Sequence, residues 1–572
     1  MLRRLHCRAG HYALLLVAWA ALCLPNLGDP SLWDIDEGNN SEAAREMWRS
    51  GNWIVPTCNY RLRTDKPALL YWLQAAGYSL FGPGEFTARL PSALAALAAI
   101  LAVYELGRRL FNAATGLLAG LLLGGAVLFC VAAHFANPDS LLNACSLYAL
   151  LFFWCDYAAG RDGWSPWSAA AAGLAVLAKG PVGLLLPAAA AFLFLLWRGE
   201  LRRLWSRRLL NGLLVFLAVA APWYGWVAAD TKGQWTAGFF LNHNLGRFTA
   251  AMENHGAPFY YYVGVLIAGC APWCVFFALT AWYAAKTVAR GAWRVAREDG
   301  HLDLSSRATR HAPRATNHEG DRPAVQFLIC WIAVYFVFFS LSTTKLPNYI
   351  LPLYPAAALL TARFLDRWRR GEVRPPAWLV ASNLACMALI GVGVAVGLLA
   401  AGGVLPVPAP RLRPLPGLEW YALLGAPLLA GAVAAGLLLR VGNRTGVVVA
   451  SLAAALLFTA GVGAWGGGAL EAWKAPRALA AALPPDQTRR EVRVAAYAYF
   501  QPSLIFYCQR KVSRLETERQ ALEFLRGPLP SYLFVPVEQW RDLKAKAPEA
   551  HELSGPRYDL FDRCDVVVVT NQ

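Results

Sequence analysis

Apolar runs of about twenty residues alternate along this chain with short, arginine-rich breaks. A bilayer core of ~30 Å takes about 20 apolar residues as one helix. On that measure the pattern predicts thirteen spans: 11–28, 87–106, 114–133, 139–158, 167–179, 181–197, 209–228, 260–285, 324–341, 347–365, 377–400, 419–439 and 446–466. Lys179-Gly180-Pro181 splits an apolar stretch too long for a single crossing. Basic residues collect in every second break: Arg3, Arg4 and Arg8 before the first span, Arg108 and Arg109 after the second, Arg161 after the fourth. Further groups follow the sixth (Arg198 to Arg208), the eighth (286–322), the tenth (Arg363 to Arg374) and the twelfth (Arg440, Arg444). The intervening breaks are poorer: none after the third span, Lys179 after the fifth and Lys345 after the ninth. That alternation places the N-terminus in the cytoplasm, and an odd number of spans places the C-terminus outside. Fusing 167–197 into one helix would invert every later loop. "CLPNLGDPSLW" has no small-residue cleavage site, so the first apolar run is read as a retained span rather than a signal peptide.

Two long segments then lie outside the membrane. Residues 29–86 form the first loop, and 467–572 form a tail. The tail alternates apolar strands ("SYLFVPV", "CDVVVVT") with a polar helical stretch ("SRLETERQALEFLRG"), which predicts a small α/β domain. The fold class expected is an α-helical polytopic membrane protein of about thirteen spans, residues 1–466, with an extracytoplasmic α/β domain at 467–572. The stretch "EDGHLDLSSRATRHAPRATNHEGDR" (298–322) is polar and low in complexity, and is read as a disordered cytoplasmic spacer.

Composition agrees. The 572 residues are 57% apolar and 16% charged, and Lys plus Arg exceeds Asp plus Glu by 53 to 36. Soluble domains carry about 25% charged residues. Nucleic-acid binding would account for a positive balance but not for the long uncharged runs, so no nucleic-acid partner is expected. Of the twelve cysteines, most, such as Cys23, Cys130, Cys145, Cys155 and Cys330, sit in apolar runs as small hydrophobes. Cys270 and Cys274, separated by Pro272 and Trp273, are read as packing. No Cys/His spacing matches a zinc site, and no glycine-rich nucleotide loop occurs.

Against this background, the carboxylates of "SLWDIDEGNNSEAAREMW" (31–48) stand out: Asp34, Asp36, Glu37, Glu42 and Glu46. Ala43, Ala44, Met47 and Trp48 mark one face of a short helix that Gly51 ends. Pro67 opens a second, with a stripe of Leu69, Leu70, Trp72, Leu73, Ala76 and Leu80, stopped by Gly82-Pro83-Gly84. Both are too short to span, and their Trp and Tyr residues suit the membrane interface. Glu42 and Glu46 fit an acidic helix start. Residue types alone leave Asp36-Glu37 open between that structural role and chemistry.

Four motifs occur together: Asp36-Glu37 after the first span, Gly-x-Trp-x-x-Pro at Gly51 to Pro56, Lys-Pro-x-Leu-x-x-Trp at Lys66 to Trp72, and Glu-x-x-x-Arg-Leu-Pro at Glu85 to Pro91. "TKLPNYILPLYP", ending at Pro355, lies at an outer helix mouth. In these features the chain resembles the GT-C membrane glycosyltransferases of the 4-amino-4-deoxy-L-arabinose transferase type, relatives of the protein O-mannosyltransferases. The likeness covers spans one to ten; in the tail only "SLIFYCQRKV" suggests it.

The resemblance implies an enzyme of the bacterial inner membrane that takes a sugar from a polyprenyl-phosphate carrier on the outer face. The acceptor would be a lipid or a protein, with lipid A the acceptor of the nearest branch. Asp36 matches the family's catalytic aspartate; Glu37 is its neighbour and could tune it, and Asp34 does not fit the pair. Lys66 matches the lysine that contacts the carrier phosphate, against the alternative of an interfacial lysine snorkelling outward. Asp65 stands where many relatives have Glu, and its shorter reach bears on any metal role. Asp139 in "HFANPDSLLNA" matches a family aspartate, and could equally be a partner of its own helix N-terminus. "FFLNHNLGRF" (239–248) resembles a family segment in which Arg247 would grip phosphate. His243 would be a metal or hydrogen-bond partner, or simply a solvated loop histidine. Lys345 and Tyr349 would complete the phosphate site. A divalent metal would fall to His243 and Asp65. Arg89 is expected to pair with Glu85, one turn away.

Three other readings compete. A transporter or flippase of a lipid-linked sugar would show matching broken segments in two halves, whereas the charges here concentrate in the first loop. An oligosaccharyltransferase-like enzyme would carry Trp-Trp-Asp in the tail, which is absent from the sequence. An inactive scaffold would be indifferent to the loss of Asp36.

Overall fold

The computed structural model describes residues 2–246, 256–299, 320–406 and 413–572, and the side chains among them except those of 2–7 and 290–299. Every predicted span has helix beneath it. Among the described residues, seven helices are long and apolar enough to cross a bilayer alone. Two bent pairs, Ala113–Gly124 with Val127–Ala133 (68°) and Tyr261–Gly269 with Trp273–Ala289 (114°), would raise the number to nine. The other predicted spans fall short for local reasons. Arg8–Cys23 and Val182–Arg198 are apolar but short. The span expected at 347–365 begins as a 3-10 turn, Pro347–Leu353, before Tyr354–Arg369, because Pro347, Pro352 and Pro355 deny the first turns their amide donors. The spacer expected at 298–322 lies mostly outside the described residues.

The first loop holds the two predicted helices, Asp36–Ser50 and Leu69–Phe81. Gly51 closes the first in the left-handed conformation (φ 71°), which a side chain would resist. Between them sits an unpredicted two-stranded hairpin, Thr57–Cys58 with Arg61–Leu62. The second helix presents two faces: Leu70, Tyr71, Gln74, Ala75 and Tyr78 turn inward, while Leu73 and Leu80 stay exposed. Part of the apolar stripe thus faces outward, as an interfacial helix requires. The first helix departs from that expectation. Nearly all of it is buried, including Asn40, Glu42, Arg45 and Glu46, because the tail packs on it.

The tail folds as a mixed sheet in the order Ser513–Leu515, Arg493–Tyr497, Ser531–Pro536, Cys564–Thr570, His551–Glu552, with Arg557–Asp559 also on Cys564–Thr570. The first three strands are parallel; Cys564–Thr570 runs antiparallel to Ser531–Pro536. Ser531–Pro536 is buried throughout, its alternate side chains entering the two cores on opposite faces of the sheet. Thr517 and Gln520 form a capping box at Glu518–Leu525.

The short helix Ser503–Cys508 meets the start of the loop helix. Asp34 accepts the Ser503 backbone N–H at 2.8 Å and also its hydroxyl. The Leu32 N–H donates to the Tyr507 hydroxyl (2.7 Å), which in turn donates to Glu85 (3.0 Å). Asn59 exchanges two hydrogen bonds with the Val512 backbone. Gly38 allows this approach: a Cβ there would sit 2.5 Å from the Ser503 nitrogen.

Candidate active site

Burial sorts the five carboxylates of residues 31–48. Glu37 is fully buried and accepts four hydrogen bonds: Arg89 Nε at 2.9 Å and Nη2 at 2.8 Å, and the Trp33 and Ala136 backbone N–H groups at 2.7 Å each. Glu42 is paired with Arg45 at 2.7 Å. Glu46 accepts from the Thr57 hydroxyl (2.6 Å) and the Tyr60 N–H (3.1 Å). Asp34 is held by Ser503, and burial, partly countered by those bonds, pushes its carboxyl up to about 7. Asp36 alone remains half-buried; among the described residues it accepts one hydrogen bond, from the Asn137 amide at 3.2 Å.

Two expectations are corrected. Arg89 pairs with Glu37, not Glu85, because the helix beginning at Glu85 aims the guanidinium back under the loop. There it also donates to the Leu27, Pro30 and Ser31 carbonyls. Glu85 instead meets Tyr507 and Arg477. Glu37, with every carboxylate lone pair engaged this way, is a structural anchor and has no group left for chemistry.

From Asp36 a polar chain runs inward. The Asn137 side-chain oxygen accepts the Asp139 N–H (3.1 Å) and so does the capping that Asp139 itself was considered for. The Asp139 carboxylate, 2% exposed, instead pairs with Lys179 and accepts from Asn348 at 2.7 Å. Lys179 ends the helix Pro166–Lys179, where Gly180 (φ 97°) breaks the backbone and lets the ammonium turn into the protein. It lies over the Tyr349 ring at 4.2 Å.

Lys179 and Tyr349 also line a cavity of about 90 Å³ with Lys66, Asp65 and His243. Leu142, Val182, Phe338 and Phe339 supply its apolar wall. Asp65 is bound on both sides, by His243 Nε2 and Arg63 Nη1, each at 3.0 Å. Burial opposes its ionisation, but these partners prevail and hold its carboxyl well below the usual range. His243 Nδ1 is buried without a partner. The two metal candidates therefore contact each other, and among the described residues no group of three His, Cys, Asp or Glu side chains could hold an ion.

Of the expected site residues, Lys66, Tyr349, Asp65 and His243 meet at one cavity, Asp139 reaches it through Lys179, and Asp36 joins through Asn137. Lys345 does not line the cavity: its ammonium is buried against the Ser342 carbonyl. Arg247 lies outside the described residues. Lys179, Asn137 and Asn348 went unread as site residues. Lys179 did carry a signal, a cation inside an apolar run; the two asparagines carried none.

The fold has known counterparts. A family model described as dolichyl-phosphate-mannose-protein mannosyltransferase matches residues 65–226. The crystal structure of ArnT from Cupriavidus metallidurans bound to undecaprenyl phosphate superposes with a TM-score of 0.75 and 27% identity, covering 99% of this chain and 98% of that one. In sequence and fold the chain is similar to membrane glycosyltransferases of the arabinose-transferase and O-mannosyltransferase type. It is a multi-pass membrane protein. Among curated relatives, the undecaprenyl phosphate-alpha-4-amino-4-deoxy-L-arabinose arabinosyl transferase of Pseudomonas paraeruginosa is 29% identical over 368 residues, 63% of this chain and 61% of that protein. A second such enzyme, from Pseudomonas fluorescens, is 31% identical over 371 residues, 63% and 60% respectively. The chain thus spans about three-fifths of the length of the curated relatives it matches.

Proposed function

We propose that this protein transfers a sugar from a polyprenyl phosphate to an acceptor at the outer face of the inner membrane. The observation that carries the reading is the joining of Asp36 to the lysine-bearing cavity through Asn137, Asp139 and Lys179, in a chain that follows an undecaprenyl-phosphate-bound relative along almost its whole length.

In the proposed reaction, an acceptor hydroxyl adds to the anomeric carbon and loses its proton to Asp36. The bond from that carbon to the phosphate oxygen breaks, and its electron pair leaves with the polyprenyl phosphate. A positioned base contributes roughly 10²–10⁴-fold, and fixed positive charge beside the leaving oxygen a comparable amount or more. Asp36 is suited to the first task because, among the described residues, its carboxylate pairs with no cation, unlike those of Glu37, Glu42 and Asp139. Lys66 serves the second, with Tyr349 as a neighbour at the same cavity, and Arg247 keeps the phosphate role that the resemblance implies. Lys179 is already balanced by Asp139, so that pair shapes the cavity. The apolar wall at Leu142, Phe338 and Phe339 suits the first units of the prenyl chain.

The finer reading has thirteen crossings with the N-terminus inside, the loop 29–86 and the domain 467–572 outside, and 4-amino-4-deoxy-L-arabinose passing to lipid A. Another envelope glycan or a protein remains the alternative acceptor. Mass spectrometry of envelope glycolipids and glycoproteins, with and without the protein, tests it: a lost pentose, aminopentose or hexose names donor and acceptor together. Detergent-purified protein should convert a polyprenyl-phosphate sugar without two compartments; failure to do so, with transport across vesicles instead, would replace this reading by the flippase.

A further inference from the structure

The helix Asp139–Ala158 starts beside the donor cavity, at Asp139, and ends against a different cavity of about 200 Å³. About 25 Å of helix separates Asp139 from Asp156, so the two spaces belong to opposite faces of the membrane. Leu150, Phe153, Leu184, Pro187, Phe192 and Leu195 give the second cavity an apolar wall. Phe192 and Leu209 of its lining are exposed, so the space reaches the outside of the helix bundle. Its charged lining, Asp156, Arg161 and Arg203, is confined to one end. Each carboxylate at this end serves two guanidiniums. Asp156, buried, pairs with Arg161 at 2.7 Å and Arg208 at 3.2 Å. Glu200 pairs with Arg203 at 2.7 Å and Arg198 at 3.3 Å. Each cluster therefore keeps one positive charge, and outside the clusters Arg202 and Arg207 outnumber Asp162. Arg208 also has a buried Nη1 with no hydrogen-bond partner among the described residues. Trp167, Trp197 and Trp205 are exposed at the same end of their helices, which marks the depth of the lipid headgroups.

We propose that this cavity binds an anionic phospholipid, with one acyl chain along the apolar wall and the phosphate at Arg161 and Arg203. An apolar space of this kind does not hold water, and an uncharged occupant would leave both surplus charges unanswered. Guanidinium forks match phosphate oxygens in pairs, and basic residues at headgroup depth attract anionic lipids. The bound chain would fill the gap between Asp139–Ala158 and Val182–Arg198 and so hold the two helices together. The site is independent of the transferase reading. The topology proposed above enters only in naming the leaflet that supplies the lipid, the cytoplasmic one.

The test titrates the full chain, purified in a neutral detergent, with phosphatidylglycerol, phosphatidylcholine and glycerol phosphate. Bound molecules are counted by native mass spectrometry, and the melting temperature is followed alongside. The wild type should hold phosphatidylglycerol on the order of tenfold more tightly than phosphatidylcholine, the effect of two surplus cations beside an anionic headgroup, and should melt higher with it. Arg161→Gln with Arg203→Gln removes the surplus from both clusters yet leaves each carboxylate one guanidinium, so this variant should fold and lose the preference. Ala191→Phe, which fills the cavity without touching a charge, should lose tightly held lipid of either kind. Arg374→Gln with Arg440→Gln, exposed arginines of other loops, should leave the preference as it was. Equal binding of the two lipids by the wild type, or an unchanged preference in the Arg161 and Arg203 variant, would overturn the proposal. So would the same loss in the Arg374 and Arg440 variant, undiminished lipid in Ala191→Phe, or glycerol phosphate held as tightly as the lipid.

Discussion

Asp36 and Glu37 are adjacent in sequence and opposite in circumstance, so conservative changes at the two should separate stability from activity. In Glu37→Gln the carboxylate facing Arg89 becomes neutral, and the new NH2 group must oppose either the Trp33 or the Ala136 N–H, each 2.7 Å from a carboxylate oxygen now. Breaking a buried ion pair costs about 3–5 kcal/mol. Arg89 keeps three carbonyl acceptors at 2.8–3.0 Å, which favours the low end. The blocked backbone donor adds about 1–3 kcal/mol. A loss of at least ~3 kcal/mol is on the order of a hundredfold in the folding equilibrium. Asp36→Asn exchanges one carboxylate oxygen for an amide oxygen against Asn137, a change within ~0.5 kcal/mol, yet it removes the base and should cost roughly 10²–10⁴-fold in transfer. Both variants are purified in one detergent, their inactivation half-lives measured at fixed temperature, and sugar transfer to acceptor followed by mass spectrometry. Wild-type half-life in Glu37→Gln, or transfer within tenfold of wild type in Asp36→Asn, would refute the division of labour.

Three further outcomes follow from particular contacts. Gly38→Val should push Ser503–Cys508 off the loop helix, since even a Cβ meets the Ser503 nitrogen at 2.5 Å, and limited proteolysis should then release the tail; unchanged resistance would count against the docking described. Asp34, raised from 3.8 to about 7, keeps a proton in the folded protein that the unfolded chain has lost between about pH 4 and 7. Stability should therefore fall as pH rises through that window, by at most about 1.4 kcal/mol per unit. Asp34→Asn should remove its share of the slope in pH-dependent melting, while Glu42, raised likewise by burial, keeps the rest. Lys179→Met strands the buried Asp139 charge and should cost about 3–5 kcal/mol. Adding Asp139→Asn should restore most of that in a double-mutant cycle.

How far the molecule was legible differs by element. Apolar periodicity located the helices because burial in lipid or protein demands the same residues, but it did not tell a crossing from a re-entrant or bent segment, as at Cys270 to Pro272. The loop helices were readable from Gly51, Pro67 and Gly82, which act locally. What covers the first of them was not, because Ser503 lies 469 residues from Asp34 and nothing in either stretch announces the other. Arg89 was matched to Glu85 by helical spacing alone; the tertiary partner Glu37, 52 residues away, offered two hydrogen bonds where the near neighbour offered none. In "TKLPNY" the charged Lys345 drew notice, yet the neutral Asn348 makes the contact with Asp139. Amides give little sign of function until their neighbours are known.

The Asp34–Ser503 junction also has a consequence in time. A ribosome adding about 5–20 residues per second needs roughly half a minute or more to travel the 469 positions between the two partners. Until then the stretch that carries Asp36 lacks the cover that Ser503–Cys508 gives it, so a truncated or stalled polypeptide would hold the proposed base unseated. On the proposed reading, a working site would be completed only with the final fifth of synthesis.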